Sequence, residues 1–197
     1  LYKINKMGYD FQFLLANYYD DIALGGGWAG NIKNAGFKGE ITYFMSEESS
    51  EKNSTSLSTS IDYSFKNGFY ILGSHLYNSN GFSDPQQFDP HSVTQNVLSP
   101  KNLMPSKNSY LIQASAFITP AINTSFTLLY GEGINFFFFS PNISYDINSS
   151  LDASIIGQFF YMDDEFNSDI ITIDTDIAPI NTISRINGYY ARLKWSF

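Results

Sequence analysis

The chain contains no cysteine. That removes a disulfide framework, a thiol nucleophile and any cysteine-based metal site. Charge is also scarce. Only 15% of the 197 residues are Asp, Glu, Lys or Arg, against about 25% in an ordinary soluble domain. The 11 Lys and Arg are outnumbered by 19 Asp and Glu, giving a net charge of −8, which argues against a nucleic-acid partner. Glycine aside, no apolar run exceeds four residues, so there is no stretch of the roughly 20 apolar residues that a membrane-crossing helix needs. The opening Leu1-Tyr2-Lys3-Ile4-Asn5-Lys6 has neither the apolar centre nor the small-residue cleavage site of a signal peptide. It reads as the start of a mature protein or of a fragment. Length alone predicts a single domain over 1–197 with room for a core.

What the chain has in abundance is aromatic residues, 17% of the total, arranged with a period of two. Tyr189, Ala191, Leu193, Trp195 and Phe197 alternate with Tyr190, Arg192, Lys194 and Ser196. Leu57, Thr59, Ile61, Tyr63 and Phe65 alternate with Ser58, Ser60, Asp62, Ser64 and Lys66. The same pattern runs through 10–15, 37–45 and 151–161. Further strand segments lie at 22–30, 69–77, 109–119, 124–130 and 136–147, giving about ten strands. Pro141 lies inside one of them and predicts a local bulge. No segment carries a helical period, so the fold class is all-β and antiparallel.

The connections alternate in length. Short turns fall at 32–34, 66–68, 120–122 and 148–150; longer polar connections fall at 46–55, 78–108 and 167–184. The long connections share one end with brief ones near 18–21 and 131–133, and each of those short turns falls at the other; that asymmetry, with strands of about 9–11 residues, is the signature of a transmembrane β-barrel of the outer-membrane type. Its polar face holds Ser, Thr, Asn, Gln and few charges, unlike a water-facing surface. With both termini placed in the periplasm, Tyr43, Tyr77, Tyr110, Tyr130, Tyr161 and Tyr189 fall at the external level. Phe11, Trp28, Phe37, Phe65, Phe69, Tyr145, Trp195 and Phe197 fall at the periplasmic one. These are two aromatic girdles flanking an aliphatic band. The partners that follow are outer-membrane lipid and lipopolysaccharide.

The final strand, with its alternating aromatics and terminal Phe197, resembles the C-terminal strand of bacterial outer-membrane barrels. In that class Tyr189, Leu193, Trp195 and Phe197 stand where the barrel-insertion machinery reads its signal. Gly25-Gly26-Gly27-Trp28-Ala29-Gly30-Asn31-Ile32, followed by Ala35-Gly36-Phe37-Lys38-Gly39-Glu40-Ile41-Thr42-Tyr43-Phe44, resembles a hairpin of a porin-like family of Bacteroidota and related Gram-negative bacteria. The resemblance implies the C-terminal part of a larger barrel.

The candidate lumen-lining side chains are Asp10, Lys38, Glu40, Asp62, Asp152, Arg192 and Lys194, with Lys66 and Asp146. In a wide barrel they set the field of an aqueous pore. In a narrow one opposite charges pair across the lumen and plug it. Gly25, Gly27 and Ala29 leave room beside Lys38 and Glu40. The expected function is porin-like passive passage of small solutes. The alternative is a closed structural or docking subunit of a cell-envelope complex. A rim protease of the omptin type would draw on His75, Asp84, Asp89 and His91, or on Asp163, Asp164 and Glu165. No omptin motif is present and no enzyme is expected. Asp163-Asp164-Glu165 and Asp169, Asp174 and Asp176 offer oxygen ligands for calcium, but without an EF-hand loop they read as solvated acids; no metal and no cofactor is expected. Gly25-Gly26-Gly27 lacks the phosphate-loop signature. Phe136-Phe137-Phe138-Phe139 reads as interface anchoring at the external rim. Loop 78–108, with four prolines, is long for a connection without a role. It is expected to constrict the lumen, cover its mouth or dock another envelope protein.

Overall fold

The computed structural model of the chain describes residues 1–47, 52–84, 99–162 and 185–196. Its elements are β1 (Tyr2–Lys6), β2 (Tyr9–Tyr18), β3 (Asp21–Ile32), β4 (Ala35–Ser46), β5 (Ser54–Ser64), β6 (Tyr70–Asn78), β7 (Asn108–Thr119), β8 (Ile122–Glu132), β9 (Phe136–Asn148), β10 (Leu151–Tyr161) and β11 (Arg185–Trp195). They form one antiparallel sheet in which spatial order equals sequence order. No helix occurs among the described residues.

The sheet has eleven strands where about ten were expected, because β1 precedes the predicted set. Its five residues are too few to display a period. Lys6, on the same side as Tyr2 and Ile4, also interrupts the apolar alternation. The β1–β2 turn needs Met7 at φ 54 and Gly8 at φ 78. Two successive positive φ angles match the twist of a tight hairpin, and glycine supplies one of them without strain.

The added strand changes the placement of the ends. With eleven alternating directions β1 and β11 run the same way, so Tyr2 lies at the end of the long connections and Trp195 at the end of the tight turns. Termini on one side hold only for β2–β11. Among the described residues the sheet is not closed into a barrel, since β1 and β11 are its two edges.

The register is staggered in one direction. A line of directly opposed residues runs from Ala29 through Lys38, Ser60, Ser74, Leu111, Leu129 and Phe138 to Phe160. Beyond that line toward the loop end, β3 continues to Asp21 and β10 only to Tyr161. Toward the turn end, β3 continues to Ile32 and β10 to Leu151. Both ends give a slip of about one residue per strand, which at about 3.3 Å rise and 4.8 Å spacing is a tilt of about 35°. That is the inclination of strands in a barrel wall.

Pro141 produces no bulge. Register with β10 is unchanged from Ile156 opposite Asn142 to Phe159 opposite Phe139, and the ladder skips only the positions between. A proline lacks the N–H that would bond there. Register shifts fall instead at Phe117/Thr119 and Leu151/Asp152.

The sheet is one layer. Side chains alternate between an apolar and a polar face, and the apolar face is the exposed one: Phe13, Leu15, Ile61, Ile112, Ile143, Ile155 and Leu193 are all open. A soluble barrel or sandwich would bury that face. The buried side chains lie mainly on the polar face: Ala23, Phe44, Ser54, Asn78, Ser109 and Phe136 toward the loop end, and Ser154 toward the turn end.

Candidate functional site

The polar face carries Asp10, Lys38, Glu40, Asp62, Asp146, Asp152, Arg192 and Lys194, because each falls on the side of its strand opposite the apolar set, whereas Lys6, Glu132 and Arg185 share the apolar side. Asp10 opposes Ala29, Ala29 opposes Lys38, Glu40 opposes Gly27, and Asp62 opposes Gly36. On the far side of the sheet Asp146 opposes Asp152, which opposes Lys194, and Ser154 opposes Arg192. Lys66 does not join them: it lies in the turn beyond Ser64, where β5 ends.

Pairing is between neighbouring strands. The Lys38 Nζ is 3.4 Å from an Asp62 carboxylate oxygen, and the Arg192 guanidinium is 3.7 Å from Asp152. Asn5 donates its Nδ2 hydrogen to Asp10 at 2.8 Å. Only strands adjacent in sequence touch one another, so the described charges form no plug across an interior. Lys38 and Arg192 remain largely open to solvent, and such pairs hold a charge in place without adding much stability.

The room expected beside Lys38 and Glu40 is taken. A Cβ at Gly27 would meet the Gln12 side chain at 2.9 Å, and one at Gly25 would meet Leu14 at 3.2 Å. Elsewhere Tyr9 covers Gly30, Trp28 covers Gly39 and Asp62 covers Gly36. Each glycine therefore admits a bulky side chain leaning over from the next strand.

The long connection between β6 and β7 falls where it was expected, at 78–108; what residue pattern did not show is how its described parts pack. Its described parts, 79–84 and 99–107, form a strap over the loop end of the polar face. Phe82 pairs with the far arm through Phe82 N–H to Pro105 O and Lys107 N–H to Phe82 O, both at 2.8 Å. Asn78, fully buried, donates Nδ2 hydrogens to Asn102 Oδ1 at 2.9 Å and to Met104 O at 2.8 Å, and accepts from the Asn80 N–H at 3.0 Å. On one side the strap reaches β3, where the Lys101 Nζ lies 2.6 Å from an Asp21 oxygen, the two side chains 21% and 4% exposed. On the other side Phe82 and Met104 pack on a cluster of Ile134, wholly inaccessible, and Phe136, with Leu129, Phe138 and Phe160. Ser106 and Ser109 share a hydrogen bond at 2.7 Å beneath it. The Phe136–Phe139 run is thus divided. Phe137 and Phe139 lie on the apolar face, and Phe136 and Phe138 hold the strap.

Tyr110, Tyr130, Phe137 and Tyr161 are directly opposed in one line across the apolar face near the loop end. His75 closes one end, stacked on Tyr110 with ring centroids 5.0 Å apart, and the Arg185 guanidinium lies 5.3 Å from the Tyr161 ring centre. Tyr43 on β4 lies closer to the loop end than that line, and Tyr189 on β11 farther from it. The stagger of the sheet brings both toward one level. Trp195 opposes Leu151 at the turn end, and Tyr189 and Leu193 lie on the same face of β11. Phe197 lies outside the described residues.

Of the protease candidates only His75 and Asp84 fall among the described residues. His75 is within β6 on the apolar face, its Nε2 3.1 Å from Asn108 Oδ1, and Asp84 belongs to the strap. Asp89 and His91 lie outside the described residues, as do Asp163, Asp164, Glu165, Asp169, Asp174 and Asp176. Among the described residues no three His, Asp or Glu side chains come together to hold a metal ion. Comparison with protein-family models, with curated proteins and with solved structures returns no match. The functional reading therefore rests on this geometry.

Proposed function

We propose that this sheet is the wall of a porin-like β-barrel in the outer membrane of a Gram-negative bacterium, and that small solutes pass along its polar face. One observation carries the reading: the apolar face is exposed as a continuous band across a single-layer sheet, while Asp10, Lys38, Glu40, Asp62, Asp152, Arg192 and Lys194 lie on the other face. In water that arrangement is costly, at roughly 25 cal/mol per Å² of apolar surface. In a bilayer the band meets hydrocarbon, and the tyrosines at its borders meet the headgroups. The one-residue stagger supplies the tilt of such a wall.

Asp10, Lys38, Glu40, Asp62, Asp152, Arg192 and Lys194 then line the lumen. They lie toward the tight-turn end, and the strap narrows the opposite mouth. Lipid and lipopolysaccharide surround the band, and the insertion machinery reads Tyr189, Leu193, Trp195 and Phe197. Bacteroidota and the porin-like family remain the closest setting that the glycine-rich hairpin supports. The test is steady single-channel conductance of the native protein in a planar bilayer. A folded, inserted protein that never conducts would overturn passage. The strap favours one second reading, a closed docking subunit whose external surface binds another envelope protein. A non-conducting barrel that co-purifies with one stoichiometric partner, and loses it when the strap is cut, is its expected behaviour.

A further inference from the structure

We infer that the polar face carries a binding hollow between Lys3 and Asp10 for small zwitterionic solutes, of amino-acid to dipeptide size. The inference rests on the passage reading above and names a solute class for it.

The hollow follows from the register. Two neighbouring lines of directly opposed residues cross the polar face toward the tight-turn end. One runs Lys3, Gln12, Gly27, Glu40 and the other Asn5, Asp10, Ala29, Lys38. Between them Ile4, Phe11 and Trp28 turn their side chains to the apolar face, so only their backbone floors the space. A cavity of about 460 Å³ opens there, walled by Lys3, Asn5, Asp10, Gln12 and Ala29. Two side chains keep it open. Ala29 is short, and Gln12 leans away from β1 over Gly27, where its Nε2 would stand 2.9 Å from an added Cβ. The volume falls within the roughly 300–1,000 Å³ of small-molecule sites.

Its charges name the occupant. Lys3 opposes Gln12, two residues from Asp10 on the same face of β2, a diagonal of about 7–8 Å between Cα atoms. A lysine side chain can span that distance, yet among the described residues neither Lys3 nor Asp10 has an ion-pair partner. Asp10 is held from the other side, accepting the Asn5 Nδ2 hydrogen at 2.8 Å. The next charges point elsewhere: Lys38 is 3.4 Å from Asp62, and Glu40 lies beyond Gly27. One cation and one anion thus face a shared space without closing it. A molecule carrying both charges a short distance apart satisfies both, its carboxylate on the Lys3 Nζ and its ammonium on Asp10. A solute with one charge meets a like charge as well, and an uncharged one gains neither contact. Both residues are exposed, so each contact is weak, and a solute in transit must be able to leave.

The test is uptake by vesicles carrying the native protein, with L-alanyl-L-alanine as the probe. Expected is uptake that saturates at roughly millimolar concentration and exceeds that of the N-acetylated, the amidated and the doubly blocked dipeptide. Lys3→Gln and Asp10→Asn should each lower dipeptide uptake about two- to fivefold and leave glucose uptake unchanged. The double variant Lys3→Asp/Asp10→Lys, which keeps one charge of each sign, should recover at least half of that loss. A zwitterion that enters no faster than its doubly blocked analogue, a glucose rate that falls in parallel, or a charge swap no better than the single variants overturns the inference. Titration of the detergent-extracted protein with isotope-labelled dipeptide, followed by NMR, separates the site from passage. Binding that Lys3→Gln weakens, in a protein that takes up nothing, supports the hollow and removes the passage reading; uptake without dipeptide preference does the reverse.

Discussion

Replacing Lys101 with Met tests whether the strap is held as the geometry implies. The Lys101 Nζ lies 2.6 Å from an Asp21 carboxylate that is 4% exposed. Removing one partner of a fully buried ion pair costs about 3–5 kcal/mol, because the remaining charge is left without compensation. Lys101 is itself 21% exposed, so water screens part of the attraction and about 2–3 kcal/mol is the reasonable expectation. At about 1.4 kcal/mol per factor of ten, the undocked population of the strap rises roughly 30–150-fold. Hydrogen exchange reads this directly. The Phe82 and Lys107 amides, bonded to Pro105 O and Phe82 O, should exchange faster by that factor, while amides of β10 keep their rates. The companion D21N/K101M variant removes the stranded charge and should recover at least half of the loss, a coupling within the roughly 0.5–3 kcal/mol range of contacting residues. Unchanged exchange in K101M, or a double variant whose loss equals the sum of the two single ones, would refute the latch.

Three other outcomes follow from the same structure. Ile155→Lys puts a charge in the centre of the exposed apolar band, between Ile143 and Ala191. Its folding free energy in lipid vesicles, measured by urea titration, should fall by about 2–4 kcal/mol, while Gln158→Lys on the polar face changes little; equal losses would contradict the assignment of faces. Gly131→Ala inserts a Cβ 2.7 Å from Ser106 Oγ and 2.8 Å from Phe136. It should cost about 1–3 kcal/mol of strap docking and speed thermolysin cleavage near Leu103, and an unaltered cleavage rate would count against the packing described. Lys38→Gln frees Asp62 from a solvent-open pair. Stability should move by less than about 1 kcal/mol, while the reversal potential in a salt gradient moves toward cation preference; a potential that stays put would remove Lys38 from the conducting path.

The class of element, the two faces and the end that holds the long connections were all legible in residue order, because each is a local property. Alternation of Leu57, Thr59, Ile61 and Tyr63 with Ser58, Ser60 and Asp62 needs only the period-two geometry of a strand to put every apolar residue on one side. The ten strands found from β2 onward follow from that rule. β1 escaped it because five residues with Lys6 on the apolar side carry too little signal, and one missed strand was enough to move Tyr2 to the opposite end of the sheet. Tertiary structure alone decided the rest. The stagger, which lines Tyr110 with Tyr130 and Tyr161 and brings Tyr43 and Tyr189 toward one level, is the sum of ten registers that no single segment encodes. Gln12 rather than Lys38 fills the space over Gly27, because a neighbouring strand's rotamer settles that contest. The strap is the extreme case: Asp21, at the start of β3, and Lys101, in the long connection, are distant in sequence and no period relates them. Only burial, which makes an unpaired carboxylate costly and an unfilled space around Ile134 unfavourable, brings them together.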